Sequence, residues 1–312
     1  MRTRSLLQPR TAAVLALVDP ALRGHAESVH DLRVAGRSLR AALRTLARRP
    51  QGTPVRKTRR TLQRAIQALA DARDRDVGRA LILKRGRRDA ALDPALKRRI
   101  LGLSDSDRRL ALARAAAGWP RDLDHRLIAL LESGEAPLGR VVRRTRAEAW
   151  QQRRRALQVV AKLGRRYDPD RLHELRRRVR SLRYAIEVLG EVDLSANDRV
   201  IQLKPLQSAL GDAQDCVVLS RWLLAQARQF ARTDRALSSA LQEQASHFRA
   251  QARASHTTFL KLRPRSVLEG LALHVEAKRP TGRGDTPRDD SPRVVRAKAS
   301  GRQSSGRDRP TG

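Results

Sequence analysis

Val29–Leu46 reads VHDLRVAGRSLRAALRTL, and Leu172–Leu189 reads LHELRRRVRSLRYAIEVL. Aligned without a gap at an offset of 143 residues, the two stretches agree at nine of eighteen positions. Only about two agreements are expected by chance in a chain rich in Arg, Leu and Ala, so the pair reads as an internal repeat. His30 matches His173, Arg33 matches Arg176, Arg37 matches Arg180, and Arg40 matches Arg183. A second echo follows in the same order. Leu69–Asp74 (LADARD) matches Leu210–Asp215 (LGDAQD) at four of six positions. Each half therefore carries a His-headed segment and then a segment rich in Asp, which is the pattern of a duplication.

Both segments have a helical period. With His30 at zero on a helical wheel, Arg33, Arg37, Arg40 and Arg44 fall between about 280° and 340°, whereas Val29, Leu32, Leu39, Leu43 and Leu46 fall between about 160° and 260°. One stripe buries, and the adjoining stripe is His and Arg. The second copy sets Leu172, Leu175, Val179, Leu182 and Ile186 beside His173, Arg176, Arg180 and Arg183, with Glu187 in place of a fourth Arg. Like charges three and four residues apart destabilise a helix by a few tenths of a kcal/mol per pair, so such a stripe costs on the order of 1 kcal/mol. Two unbalanced stripes in matched registers call for an external anion.

The rest of the chain extends this reading. Leu and Ala recur at spacings of three and four, sustained alternation is absent, and β-branched clusters are scarce. About eight or nine helices are expected. Breaks are expected at Asp19-Pro20, Pro50–Pro54, Asp93-Pro94, Gly118–Pro120, Ser133–Pro137, Asp168-Pro169 and Glu191–Asn197. The fold class is all-α, with two pseudo-symmetric four-helix bundles around a central basic groove or pore. The folded domain is expected over 1–277, in halves of about 5–135 and 136–277. Residues 278–312 are rich in Pro, Gly, Ser, Arg and Asp and read as a disordered basic tail.

Of 312 residues, 67 are Lys or Arg and 32 are Asp or Glu, a net charge of +35, and Arg supplies 59 of the cations. Arg offers a planar fork to phosphate, where Lys offers a point charge. The balance points to a polyanionic partner. Eight aromatic residues leave the core to aliphatic side chains, and one cysteine, Cys216, excludes an intrachain disulfide and a Cys-based metal cluster. The longest uncharged stretch, Thr11–Val18, is too short to span a bilayer and reads as part of a first helix. A cytoplasmic protein is expected.

These residues resemble the conserved histidine α-helical domain (CHAD) family, marked by two helices of the type H-x-x-R-x-x-x-R-x-x-R. Here they are His30–Arg40 and His173–Arg183. The second continues into Arg183-Tyr184-Ala185 and Glu187, and the following segment carries Lys204 before Leu210–Asp215, as is typical of the family. The similarity covers residues 5–265. It implies binding of inorganic polyphosphate and association with polyphosphate granules, through a basic surface formed by His30, Arg33, Arg37, Arg40, His173, Arg176, Arg180, Arg183 and Lys204. Arg44 joins this set from its place on the stripe. Gly36, Ser38 and Ser181 stand where the family often has another basic residue, which implies a less charged groove.

Two other classes are weighed. A general nucleic-acid binder fits the charge and the tail, but there is no zinc spacing or stacking platform, and its affinity would be weak and salt-sensitive. An enzyme of phosphate polymers, or an accessory subunit of one, would need carboxylates to hold Mg²⁺. No Glu-x-Glu-x-Lys occurs. Asp71, Asp74, Asp76, Asp212 and Asp215 stand beside Arg at expected helix ends, so pairing or termination suits them better. The expectation is a binding protein without catalysis, cofactor or metal. His25, His125, His247, His256 and His274 are assigned core or surface roles.

Overall fold

The three- and four-residue spacing of Leu and Ala produces an all-α fold in the computed structural model, which describes residues 3–85, 93–164, 166–193 and 198–271. The helices are α1 (Thr3–Leu22), α2 (Ala26–Thr45), α3 (Thr53–Ala68), α4 (Ala70–Arg85), α5 (Pro94–Ala117) and α6 (Leu123–Glu132). They continue as α7 (Leu138–Leu163), α8 (Pro169–Val192), α9 (Asp198–Phe230), α10 (Arg235–Lys261) and α11 (Pro264–Gly270). The expected tail, 278–312, and His274 lie outside the described residues.

Most expected breaks occur, and the structure shows their chemistry. Asp93 and Asp168 cap α5 and α8: the Asp93 carboxylate accepts from the Leu96 N–H, and the Asp168 carboxylate from those of Asp170 and Arg171. Pro94 and Pro169 follow at the first helical position, where a missing N–H costs nothing. The Asp19-Pro20 break does not occur. Pro20 sits in the last turn of α1, and the chain turns instead at Gly24, whose φ of +93° suits glycine. Three breaks were not expected, at Leu69 between α3 and α4, at 231–234 between α9 and α10, and at Leu262–Arg263 between α10 and α11.

The order of neighbours in the first half recurs in the second. α1 packs on α2 as α7 does on α8, α2 on α3 as α8 on α9, and α4 on α5 as α9 on α10. α6 lies against α1 and α3, and α11 against α7 and α9. The single helix α9 thus takes the place of α3 and α4 together. The core, however, divides into three clusters. One joins α1, α2, α3 and α6, and one joins α7, α8, α11 and the first part of α9. The third bridges the halves, setting Ile82 and Ile100 of α4 and α5 against Leu223 and Phe248 of α9 and α10. It is largely aliphatic, as the composition implies. Cys216 lies in this third cluster, its thiol pushed up to about 12 by burial and then by Asp215 and Asp212. It is an inert core residue.

The positions set apart as departures from the family pattern also acquire packing roles. Gly36 faces α3, where an added Cβ would come within 2.6 Å of the Ile66 side chain. It allows α2 and α3 to approach and is no missing groove cation. Ser38 accepts a hydrogen bond from Arg10 Nε at 3.3 Å. No described helix is long and apolar enough to cross a membrane.

Candidate functional site

The two repeat helices touch each other. Their apolar stripes turn into the flanking cores, with Val29, Leu32, Leu39, Leu175, Val179 and Leu182 buried. The stripes of arginine are left to meet across the α2–α8 contact. Between α2, α3, α7 and α8 lies a cavity of about 280 Å³. Arg37, Arg40, Arg44, Arg177 and Arg180 line it, together with Gln63, Tyr184 and a single carboxylate, Glu148.

The cations are held against their own preference. Burial pulls Arg180 down to about 9, with Arg37, Arg176 and Arg33 pushing the same way. Arg40 and Arg59 are each pulled down to about 10, by burial first and then by neighbouring arginines. Arg37 is lowered for the same reasons, and Tyr184 offsets part of that. The Nε–H groups of Arg40, Arg59 and Arg144 are buried with no hydrogen-bond partner in the protein. Buried donors are normally paired, so these unpaired charged donors have chemical capacity for an anion.

Other expected residues are committed elsewhere. Arg33 is buried and donates to the Ile66 carbonyl at 2.6 Å. That carbonyl belongs to the last turn of α3, and the break at Leu69 deprives it of a helical partner. Its repeat mate Arg176 instead lies 3.5 Å from Asp215 in the uninterrupted α9. Arg183 pairs with Glu187 at 3.1 Å and donates to Gln207 at 3.2 Å. Arg44 pairs with Glu148 at 2.7 Å, so its stripe does meet an acidic counterweight, supplied by α7.

His30 is exposed on α2, its imidazole held below the usual range by burial and then by Arg73. His173 is half-buried on α8, with Nδ1 unpaired. Lys204 is exposed on α9, one turn before Gln207. None of these three lines the cavity.

The aspartates are not helix terminators. Asp71 opens α4, but Asp74 and Asp76 lie within it, and Asp212 and Asp215 lie mid-way along α9. Asp76 pairs with Arg108. Asp74 and Asp215 are both raised, chiefly by burial, with Asp71 adding to the first and Asp74 and Asp212 to the second. Among the described residues no group of three or more His, Cys, Asp or Glu is placed to hold a metal ion.

The model of the CHAD domain matches residues 5–224, more than half of the chain. The chain belongs to the CHAD domain family. Solved structures agree on the fold. The CHAD domain from the plant Ricinus communis superposes with a TM-score of 0.65 at 21% identity, over 86% of this chain and 90% of that one. PptA from Streptomyces chartreusis superposes with a TM-score of 0.61 at 20% identity, over 84% of this chain and 97% of that one. No curated protein matches the sequence significantly.

Arg177 and Tyr184 of this CHAD domain lining were missed from the stripes, as was Arg59, which lies outside the lining but within electrostatic reach of Arg44 and Glu148. Arg177 lies at about 40° from His173 on the wheel, just outside the marked sector, and Tyr184 at about 20°. A wider sector would have caught both, and it explains why Arg176 and Arg183, on the far edge, look away from the cavity. Arg59 comes from α3, and no periodicity within α2 or α8 could have found it.

Proposed function

We propose that this CHAD domain binds inorganic polyphosphate without catalysis, the cavity arginines closing on successive phosphates of the chain. The observation that carries the reading is the crowding of five arginines and one carboxylate around one cavity, with the buried Nε–H of Arg40 left without a partner. Phosphate polymers offer about one negative charge per unit and no base edges, so Arg forks recognise them and aromatic stacking adds nothing. Tyr184 is the one aromatic side chain in the lining. His30, on the exposed edge of the same helix, would charge when a polyanion approaches. Arg33, Arg176, Arg183 and Lys204 lie outside the lining and would contribute only a longer-range field. Such binding would hold the protein on polyphosphate granules.

The test is competition at about 0.15 M salt, where surface charges are screened beyond about 8 Å. Labelled long-chain polyphosphate is bound to the full chain and challenged with duplex DNA, single-stranded RNA and heparin, matched by charge. The proposal expects only unlabelled polyphosphate to displace the label efficiently. Equal displacement by every polyanion, with collapse as salt rises, would reduce the +35 to a general field.

A further inference from the structure

The α2–α8 cavity is not isolated. A second, more open cavity of about 760 Å³ lies beyond the C-terminal end of α2, between it and α7. Arg48, Arg49, Arg140 and Arg144 line it, with Trp150 on its border. The two cavities share Arg44, Thr45 and Glu148. The pair Arg44–Glu148 therefore stands at the only lining the two have in common, as a bar between an inner and an outer chamber.

Glu148 is well placed for that. Its Oε1 accepts from Arg44 at 2.7 Å and from Gln152 at 2.8 Å, and its charge also reaches Arg59. It is the one carboxylate in either lining. An anionic chain passing from one chamber to the other must replace this carboxylate on Arg44, whereas a short one can sit among the other inner arginines with Glu148 at its border.

We propose that the two chambers form one track for a linear polyanion, with Glu148 as an internal competing anion at their junction that a chain must displace to occupy both. This deepens the polyphosphate reading above and rests on it. From Arg37 to Arg44 the helix rises about 10 Å, and the outer arginines extend the track further, so a ligand spanning both chambers is a polymer of many phosphates. Arg49 and Arg140 are exposed at the outer end and take part in no core packing. They supply affinity to long chains alone. Glu148 keeps Arg44 ordered when no polymer is present, which lowers the repulsion among the cations and sets a threshold for entry.

The experiment titrates the full chain with tripolyphosphate and with long-chain polyphosphate, for the wild type, Arg49→Ala/Arg140→Ala and Glu148→Gln. For the outer double variant, long-chain affinity is expected to fall by about tenfold or more, since each charge-assisted contact is worth roughly a decade. Tripolyphosphate affinity stays within about twofold. Glu148→Gln is expected to tighten binding of both ligands, and of long-chain polyphosphate by the larger factor. Trp150 adds a local readout: its emission should change with long chains only, and the change should vanish in Trp150→Phe. Equal effects on both ligands, or none on either, overturn the two-chamber track while leaving the inner cavity intact. Failure of the wild type to bind either ligand overturns the polyphosphate reading, and the track with it.

Discussion

Replacing Arg180 by Met separates what the cavity costs the fold from what it gains in binding. In the folded protein Arg180 holds its proton only up to about 9, because burial and the charges of Arg37, Arg176 and Arg33 disfavour the cation. Each pH unit of such depression corresponds to about 1.4 kcal/mol, and the depression spans several. Methionine keeps much of the alkyl packing and removes the charge. Allowing for relaxation and for lost contacts of the stem, the variant should be more stable than the wild type by about 1–2 kcal/mol. Differential scanning calorimetry without ligand should then show Tm raised by about 2–4 °C. Isothermal titration should show polyphosphate affinity lowered by about ten- to a hundredfold, for one lost charge-assisted contact. The slope of log K against log salt should also shrink by somewhat less than one. A fall in Tm with helicity unchanged would refute the claim that this cation is held at a cost. Unaltered affinity would refute its place in the ligand site.

Further outcomes follow from the same geometry. Arg37→Ala with Arg180→Ala should weaken polyphosphate binding by several kcal/mol while far-UV circular dichroism stays the same. Polyphosphate affinity should rise as pH falls through the ordinary histidine range towards the lower value of His30, because the bound polyanion favours its cation, and titrations of His30→Gln should show a flatter profile. Without ligand the sign reverses: the unfolded chain takes up the His30 proton first, so this group's contribution to stability is present above that range and is lost as pH falls through the folded value. Gly36→Ala should lower stability in urea unfolding by about 1 kcal/mol or more. The clash with Ile66 at 2.6 Å outweighs the better helix propensity of alanine.

The legible part of this protein lies in its repeat. Matching Leu32 with Leu175 and Leu39 with Leu182 located the buried faces of α2 and α8, because burial repeats at the helical period. The same wheel located Arg37 and Arg180 at the cavity. It could not locate Arg59 or Glu148, which reach the site from α3 and α7, since contacts between helices leave no period within one of them. It also mistook a helix boundary. Pro20 looked like a break but stands in the last turn of α1, where the loss of one N–H is easily tolerated, and the turn belongs to Gly24. The break at Leu69 carries no Gly or Pro. It follows from how α3 and α4 meet their neighbours, and α9 runs straight through the matching Leu210.

That one interruption gives two duplicated arginines different work. Where α3 stops, a backbone carbonyl is freed and Arg33 is fastened to it. Where α9 continues, Arg176 finds only a side-chain carboxylate, 3.5 Å away. A polyphosphate chain reads the same from either end, and a strict duplicate would have offered it two interchangeable banks. The two copies instead present one arginine braced by main chain and one opposite a side-chain carboxylate. A ligand without polarity, such as the proposed polymer, would thus meet two unlike copies of one motif.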